Sequence, residues 1–502
     1  MEKLYKLKLP IIKLIFIIVY LINQISSYVI LPLDYLPSKN YQFIQDGNQL
    51  ESEEQIIKIL YFSKLITFLD IGSPSKTQML LLDSENKDFY LDSYNPSNNA
   101  QEKNKLSKIY KFERNDYYNE SFSISYIKGK SEYYEYEIDE YSEIYYSKDK
   151  LKLNYYGNNV YIEDFPIKII KNDIGNIPGT IGLSMTETIG LSLNKAFSKD
   201  IKSFLYQLKS KNLIKDYYWF FDFDEISPID KKVKGRLVIG DLPHNIFPKK
   251  YSKENYDQMT SCIYTSFWTI SIDEIYIENT NKDYQFINTD ISLFYDFYPA
   301  IGPRKFLDDI KTNFLQELLD TNKCFNGTFS QNIYFSIYSP DDLIFYYCEK
   351  SVKNILYENL PSIKFIKNDY VFELNKEELF YIKDDYIYFM VLFLKDYYFT
   401  ENYNHNYNFF VGQIFTSKYH FVFHTEDNQI GFYEKINKEE EKENLINNNK
   451  YNSLNHSIII IFLFIISLFI GISLTKKFND KTERNRKEKK NELIELDEYN
   501  SS

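Results

Sequence analysis

The stretch from residue 69 to residue 91 decides the fold class, and it reads Leu69-Asp-Ile-Gly72-Ser-Pro74-Ser-Lys-Thr-Gln-Met-Leu-Leu-Leu-Asp83-Ser84-Glu85-Asn86-Lys-Asp-Phe-Tyr90-Leu91. A turn of Gly, Ser and Pro separates two apolar runs of strand length. Short apolar and aromatic runs, broken by polar clusters, recur as far as residue 435, whereas helix-like patterns appear at 199–211 and 303–319. The sequence therefore predicts a mostly β fold.

The composition excludes several classes of protein. The chain has 502 residues, a formal net charge of −12 and a pI near 5.2, with 15 Gly and 14 Pro beside 48 Tyr and 40 Phe. Collagen-like, mucin-like and Gly/Ser-linker chains are excluded, and a hydrophobic content of 44% is too high for a wholly disordered chain. The acidic balance argues against nucleic-acid binding, which needs a surplus of Lys and Arg.

Both ends of the chain predict a membrane topology. Residues 1–27 combine basic residues with an apolar run at 14–22, which is typical of a cleaved secretory signal. An uncleaved anchor is the less favoured alternative, because the run is short. Residues 457–475 are uncharged and apolar, and lysines follow at once, so we expect one transmembrane helix with the tail, 476–502, in the cytosol.

This topology predicts a single-pass type I membrane protein whose bulk is extracellular or lies in the secretory or endolysosomal lumen. Residues 436–456, rich in Glu, Lys and Asn, would form a polar stalk. Asn119 and Asn326 begin glycosylation sequons on that side. In an oxidising compartment Cys324 and Cys348 would form a disulfide, which leaves Cys262 either free and buried or in contact with another chain.

Further short blocks follow the opening stretch at intervals along the chain. They are Gly179-Thr-Ile-Gly182-Leu183, Phe204-Leu-Tyr-Gln-Leu, Gly235-Arg-Leu-Val-Ile-Gly240, Trp268-Thr-Ile-Ser-Ile, Leu360-Pro-Ser-Ile-Lys-Phe365, Phe410-Val-Gly412-Gln-Ile-Phe415 and Asn428-Gln-Ile-Gly-Phe432. Together with the opening stretch, these blocks resemble, in the correct order, those of the pepsin-like aspartic peptidases. The resemblance covers most of residues 58–435.

The resemblance implies a bilobed fold, in which two related β lobes flank a central cleft. The N-terminal lobe would span 58–228 and the C-terminal lobe 229–435, after a lead or pro-like segment at 28–57. A short internal repeat is consistent with two related lobes. The pattern hydrophobic-hydrophobic-Gly occurs in corresponding places, at Thr180-Ile-Gly182 and at Phe410-Val-Gly412. The lead segment carries net negative charge, so we expect no autoinhibitory role for it.

The resemblance also implies an aspartate in each lobe, the two sharing a proton and activating a water. Asp83 occupies the first position. Asp296 is the better candidate for the second, and Asp290 is a rival that reads as part of the preceding turn. Both loops depart from the Asp-Thr/Ser-Gly motif, at Glu85 and Asn86 in the first and at Phe297 and Tyr298 in the second. The following Gly302-Pro303 also comes too soon after Asp296 for the family's spacing.

Tyr126 matches the tyrosine that closes over the substrate, on the flap, in this family. The alternative is that Tyr126 is an ordinary surface tyrosine. The leading functional hypothesis is a catalytically impaired member whose cleft binds a peptide or protein. The alternatives are an active aspartic-type endopeptidase that hydrolyses proteins at acidic pH and a surface scaffold or antigen. No cofactor or metal is expected, since the histidines show no ligand spacing with the cysteines. The oligomeric state stays open.

Overall fold

The computed structural model describes residues 27–36, 53–84, 89–93, 112, 117–137, 140–155, 158–171, 178–183, 203–228, 230, 232–261, 268–277, 289–330, 342–395, 409–433 and 482. The strands of these ranges are β1 (Val29–Pro32), β2 (Asp34–Tyr35), β3 (Leu65–Ile71), β4 (Lys76–Asp83), β5 (Phe89–Asp92), β6 (Ser131–Glu137), β7 (Glu140–Tyr155), β8 (Asn158–Lys171), β9 (Gly179–Gly182), β10 (Tyr218–Ser227), β11 (Lys232–Ile239), β12 (Tyr256–Thr260), β13 (Thr269–Ile272), β14 (Glu274–Ile277), β15 (Thr289–Leu293), β16 (Ala300–Gly302), β17 (Cys324–Ser330), β18 (Asp342–Glu349), β19 (Ser362–Lys367), β20 (Tyr370–Asn375), β21 (Phe380–Lys383), β22 (Tyr386–Phe389), β23 (Val391–Leu394), β24 (Phe409–Val411), β25 (Val422–His424) and β26 (Gln429–Tyr433).

The α-helices of the same ranges are short. They are Glu53–Tyr61, Phe204–Ser210, Pro243–Ile246, Arg304–Ile310, Gln316–Asp320, Lys353–Asn359, Lys376–Leu379 and Gln413–Thr416, and a π-helical turn, Lys311–Leu315, joins the fourth to the fifth. The prediction of a mostly β fold is confirmed. Helix-like patterns at 199–211 and 303–319 coincide with the second helix and with the fourth and fifth.

A six-stranded sheet joins the first and last strands of the described chain. Its order is β1-β11-β10-β25-β26-β12. The predicted lobe boundary between residues 228 and 229 falls between β10 and β11, which pair with each other in this sheet. Trp219 of this sheet is fully buried, with its ring stacked on Phe423 at 4.2 Å and edge-on to Trp268 at 6.1 Å. These rings belong to the main hydrophobic core.

Three further sheets complete the fold. One has eight strands in the order β2-β3-β4-β9-β5-β8-β7-β6. Another follows the path β13-β15-β24-β16-β23-β18-β22-β21, with β17 paired to β18, and a third is β14-β19-β20. The six-stranded sheet and these three belong to one compact unit.

The described parts of the predicted lead segment, residues 28–36 and 53–57, belong to the folded unit. β1 pairs with β11 along its whole length. Ile56, Ile57 and Leu60 are buried along one side of the helix Glu53–Tyr61, which is the pattern of an amphipathic helix on a core. The segment therefore contributes both a strand and a helix to the core.

Several predicted features lie outside the described residues. They are the signal sequence up to residue 26, Glu85, Asn86, Cys262, the stalk at 436–456, the apolar segment at 457–475 and the tail at 476–502 apart from Thr482. In the part of the chain that the structure describes, no helix is long and apolar enough to span a bilayer.

A disulfide joins Cys324 to Cys348, which lie directly opposite each other on β17 and β18. The bond spans a sequence separation of 24. Closing a loop of this length lowers the entropy of the unfolded chain. We expect replacement of both cysteines by alanine to lower the free energy of unfolding by about 3 kcal/mol, measured by urea titration of the full-length protein. A loss below about 1 kcal/mol would show that the loop is already restricted in the unfolded chain.

Candidate functional site

Two parts of the fold share one strand order and one set of strand directions. In the eight-stranded sheet β4 is parallel to β9, β9 is antiparallel to β5, and β5 is parallel to β8. The strands β15, β24, β16 and β23 repeat these relations in the same order. Equivalent loops therefore follow β4 and β15. We give the name first loop to Asp83, the last residue of β4, together with Ser84, and the name second loop to residues 294–299.

The register of the strands identifies equivalent positions in the two loops. Asp83 pairs with Gly182. In the other copy Leu293 pairs with Val411, and the backbone N–H of Phe294 donates to the carbonyl of Val411 at 2.9 Å. Phe294 thus comes opposite Gly412, as Asp83 comes opposite Gly182.

The antiparallel strands give the same equivalence independently. Phe89 of β5 pairs with the residue before Gly182, and Ala300 of β16 pairs with the residue before Gly412. Phe89 follows Asp83 by the same number of positions as Ala300 follows Phe294. The counterpart of Asp83 is therefore Phe294, and Asp296 lies two residues further along the second loop.

Gly412 allows the second loop to lie directly against the end of β24. A Cβ at this position would lie 2.3 Å from the carbonyl oxygen of Pro299 and 2.5 Å from that of Phe297. Both distances are shorter than any allowed contact with backbone, so only glycine fits. Gly412 itself donates to the Pro299 carbonyl at 3.1 Å. The glycine of the hydrophobic-hydrophobic-Gly block thus fixes the position of the loop.

A hydrogen bond joins the first loop to the second. The hydroxyl of Ser84, next to Asp83, donates to Oδ2 of Asp296 at 2.7 Å. Ser84 and Asp296 are both buried, at 3% and 4% exposure. The structure therefore brings the two loops together through Asp296, although Asp296 is not the counterpart of Asp83.

Lys64 provides the positive charge beside Asp296. Its Nζ lies 3.4 Å from Oδ1 of Asp296, while the other carboxylate oxygen accepts from Ser84. Both oxygens of this buried carboxylate thus have a polar partner. Lys64 reaches the site because it lies between the helix Glu53–Tyr61 and β3.

The helix Glu53–Tyr61 and the turn after it support the second loop. The ring of Tyr61 stacks on Phe297 at 5.8 Å, and the carbonyl of Leu60 accepts from the backbone of Tyr298 at 3.1 Å. The side-chain amide of Gln413, fully buried, donates to the carbonyls of Ser63 at 2.9 Å and of Tyr295 at 2.7 Å. These contacts connect the second loop to the helix Glu53–Tyr61, to the turn after it and to Gln413.

Aromatic side chains fill the space under the second loop. Phe294 is fully buried, with its ring stacked on Phe297 at 5.3 Å and edge-on to Phe410 at 5.6 Å. Burial raises the pKa of Tyr295 well above its usual range and that of Tyr298 to about 12. Both phenols therefore stay neutral at physiological pH. The second loop is therefore mainly aromatic, and Asp296 is its one acidic residue.

Tyr126 lies at the base of the β6–β7 hairpin. Its hydroxyl is 3.0 Å from that of Ser147, and Ile127, the next residue, bridges to Lys148 of β7. The tip of the hairpin comes where β6 ends at Glu137 and β7 begins at Glu140. Burial raises the pKa of Tyr126. A role for Tyr126 in closing over a ligand stays a prediction.

The remaining candidates have the following places. Asp290 lies within β15 at 6% exposure, not in the turn that the sequence suggested. The side-chain oxygen of Asn119 caps a short turn by accepting from the backbone of Ser121 at 3.1 Å. Asn326 is exposed on β17. Among the described residues, no group of His, Cys, Asp and Glu is arranged to hold a metal ion.

Sequence reasoning missed Phe294 and Lys64. A signal for Phe294 was present, since Gly302-Pro303 follows Asp296 too closely for the spacing that the resemblance implies, and a start at Phe294 lengthens that spacing. The aspartate at position 296 outweighed that signal, because the resemblance implies an aspartate in each lobe. Lys64 left no signal, because its contact with Asp296 joins distant parts of the chain.

No family model matches the chain, and no curated protein matches it.

Proposed function

We propose that the chain is a membrane-anchored protein with a bilobed pepsin-like fold, that it is inactive as a peptidase, and that its cleft binds a peptide or protein. The lobes would be those predicted at 58–228 and 229–435, on a single-pass type I anchor. The bulk of the chain would lie outside the cell or in the secretory or endolysosomal lumen. This function requires no cofactor, metal or nucleic acid.

The identity of residue 294 is the observation that carries the proposal. An aspartate dyad works because two like charges cannot both ionise at close range, so that one carboxyl acts as acid and the other as base. The two carboxyls of such a dyad would lie at equivalent positions in two related loops. Here one position is Asp83 and the other is the buried ring of Phe294. A phenylalanine offers no group that shares a proton.

The ion pair of Lys64 with Asp296 supports the same conclusion. In a dyad, a shared proton relieves the repulsion between two carboxylates. Asp296 instead has a lysine ammonium at 3.4 Å and a serine hydroxyl at 2.7 Å. Its charge is compensated by a fixed cation, so the arrangement favours a structural role for Asp296 over proton transfer.

One observation favours the alternative, an active aspartic-type endopeptidase with Asp83 and Asp296 as its dyad. Ser84 follows Asp83 in the chain and bonds to Asp296, so Asp296 is close to the first loop although it is displaced in sequence. A displaced carboxylate that reached a shared water would suffice for catalysis. The two candidate functions therefore differ in one measurable property, which is cleavage.

We expect the purified full-length protein to leave an unfolded protein substrate intact between about pH 3 and pH 6, the range in which a carboxylate dyad operates. A transition-state-mimicking inhibitor should change nothing, and Asp83→Asn should behave like the wild type. Cleavage that Asp83→Asn lowers by several orders of magnitude would establish the endopeptidase instead.

Binding is the second part of the same experiment. Peptides are selected from a random library on the immobilised protein. They should fail to bind Asp83→Lys, since Asp83 is half-buried in the first loop, where the proposed cleft would hold the peptide. They should still bind Asp224→Lys, a charge reversal at an exposed site on β10. If no peptide is selected, or if both variants bind equally, the cleft is not the binding site and the scaffold hypothesis gains.

A further inference from the structure

A second, smaller hydrophobic cluster lies on the outer face of the six-stranded sheet. Side chains alternate between the two faces of a strand, and Trp219 of β10 belongs to the main core, so its neighbour Phe220 faces the other side. Phe220 forms the smaller cluster with Val238 and Val422, and all three are at most 1% exposed. The segment between β11 and β12 packs over this cluster, and we name its residues 242–255 the outer cover.

Aromatic rings and one buried carboxylate attach the outer cover to the sheet. Phe247 and Tyr251 lie edge-on to Phe220, each with the ring centres 6.3 Å apart. Lys250 and the hydroxyl of Tyr251 both donate to Asp222 of β10, at 2.6 Å. Since β11 before the cover and β12 after it are each paired in the sheet, the cover can lift while these strands stay paired. It is therefore suited to local opening.

Two histidines lie in the contact between the cover and the sheet, one from each side. His420, on the turn before β25, has its Nδ1 3.3 Å from the hydroxyl of Tyr251 in the cover. His244, within the cover, has its Nδ1 2.8 Å from the hydroxyl of Tyr433 on β26. Each imidazole thus meets a tyrosine of the opposite side. Lifting the cover would break both pairs and expose both rings to water.

The surroundings of His420 favour its neutral form. Burial lowers its pKa from the ordinary 6.5 to about 4, the ammonium of Lys250 acts in the same direction, and Asp222 acts against both. Burial raises the pKa of Tyr251 well above its usual range, so that this partner carries no charge. Asp222 already pairs with Arg236 and Lys250. A proton on His420 would therefore add a third cation around one buried carboxylate.

The groups around His244 act in both directions. Burial lowers its pKa, and the ammoniums of Lys253 and Lys215 add to this effect. The carboxylates of Asp241 and Glu254 oppose them without reversing the shift. A histidine whose pKa is lowered in the closed state stabilises that state fully above the ordinary pKa of 6.5, and this stabilisation is lost as the pH falls toward the lowered value. Both histidines therefore favour the open cover in acid.

We propose that the outer cover is an acid-released element, which lifts from the sheet as His420 and His244 take up protons and so uncovers the small cluster around Phe220. Between pH 7.5 and pH 5 the side chains with an ordinary pKa in range are histidines. With a pKa of 6.5 when open and about 4 when closed, His420 alone raises the opening equilibrium constant about thirtyfold across this interval. An apolar surface would thus become available in an acidic lumen. The proposal does not rest on the cleft or on its ligand.

Hydrogen exchange of the full-length protein, followed by mass spectrometry, measures the opening of the cover. The backbone N–H groups of Phe247, Lys250 and Tyr251 donate to carbonyls within the cover, so they exchange when it opens. After correction for the chemical exchange rate, we expect the opening constant to be at least about thirtyfold larger at pH 5 than at pH 7.5. It should exceed that of the paired amides of β10 at both pH values. Equal constants for the cover and β10 would mean that the cover opens only when the whole fold unfolds, and would overturn the proposal.

Glutamine variants identify the groups that respond to acid. The double variant His420→Gln with His244→Gln keeps neutral polar side chains at both places, and its opening constant should be the same at pH 7.5 and pH 5. His424→Gln is the matched control. His424 lies on β25 with its Nε2 3.2 Å from Asp216, outside the cover, so this variant should keep the increase of the wild type. A wild type without the increase, a double variant that keeps it, or a control that loses it would each contradict the proposal.

Discussion

Asp222→Ala is expected to lower the free energy of unfolding by about 3 kcal/mol at neutral pH, as is typical when one member of a buried ion pair is removed. Asp222 is 1% exposed on β10. Its Oδ2 accepts from Nε and Nη2 of Arg236, at 2.9 and 2.8 Å, and its Oδ1 accepts from Lys250 and from the hydroxyl of Tyr251, both at 2.6 Å. Arg236 and Lys250 keep some contact with water, which places the loss at the lower end of the usual range.

The loss should depend on pH in a defined direction. Burial raises the pKa of Asp222, but the hydrogen bonds and charges of Lys250, Tyr251 and Arg236 outweigh it, so that the pKa is lowered from the ordinary value of 3.8. A lowered pKa in the folded state contributes stability that is fully present above the unfolded value and is lost as the pH falls through the folded value. The difference between wild type and Asp222→Ala should therefore be constant from neutral pH down to about pH 5 and shrink below about pH 4.

Asp224 provides the matched control for this measurement. It is two residues further along the same strand and lies 3.2 Å from the same Lys250, but its side chain is 55% exposed. Asp224→Ala should cost less than about 1 kcal/mol, because water screens the pair. Urea titrations at several pH values give both results. Equal losses for the two variants would mean that burial does not strengthen the contacts of Asp222.

The fold class was accessible from the sequence because strand-length patterns are local. The apolar runs on either side of Gly72 became β3 and β4, and the block that ends at Gly182 became β9. The pairing of Cys324 with Cys348 was accessible because the chain has only 3 cysteines, and these two are the pair nearest to each other in the sequence. In each case, the information lies within a short window or in a residue type with few possible partners.

The equivalence of Phe294 with Asp83 could not be predicted from the sequence, because it is set by pairing between strands that are distant in the chain. The sequence contains an aspartate at 296 and a phenylalanine at 294, and of these two residues only the aspartate fits a motif that begins with aspartate. Pairing of β15 with β24 and of β16 with β24 moves the counterpart of Asp83 to Phe294. The ion pair of Lys64 with Asp296 was inaccessible for the same reason, since a lysine that precedes a strand has no pattern of its own.

Phe294→Ala is expected to lower the free energy of unfolding by about 3–5 kcal/mol, the range for truncation of a buried phenylalanine. Phe294 has no exposed surface and packs on Phe297 and Phe410. Phe294→Leu keeps most of the volume and should cost less than about 1.5 kcal/mol. Phe122→Ala, at an exposed position, should stay within about 0.5 kcal/mol of the wild type. Urea titration of the full-length variants measures all three.

Phe294→Asp places a carboxylate at the position equivalent to Asp83. It tests whether the absence of cleavage is due to the missing carboxylate or to the packing of the second loop. We expect it to be the least stable variant, because it removes the same packing as alanine and buries a charge with no cation assigned to it. It should therefore gain no cleavage of unfolded protein. Cleavage by a folded Phe294→Asp variant would contradict this expectation, since it would mean that one substitution suffices to restore a dyad. If it stays inactive, the absence of cleavage follows from the packing of the whole second loop, where Phe294, Phe297 and Gly412 are in contact, and not from the residue at position 294 alone.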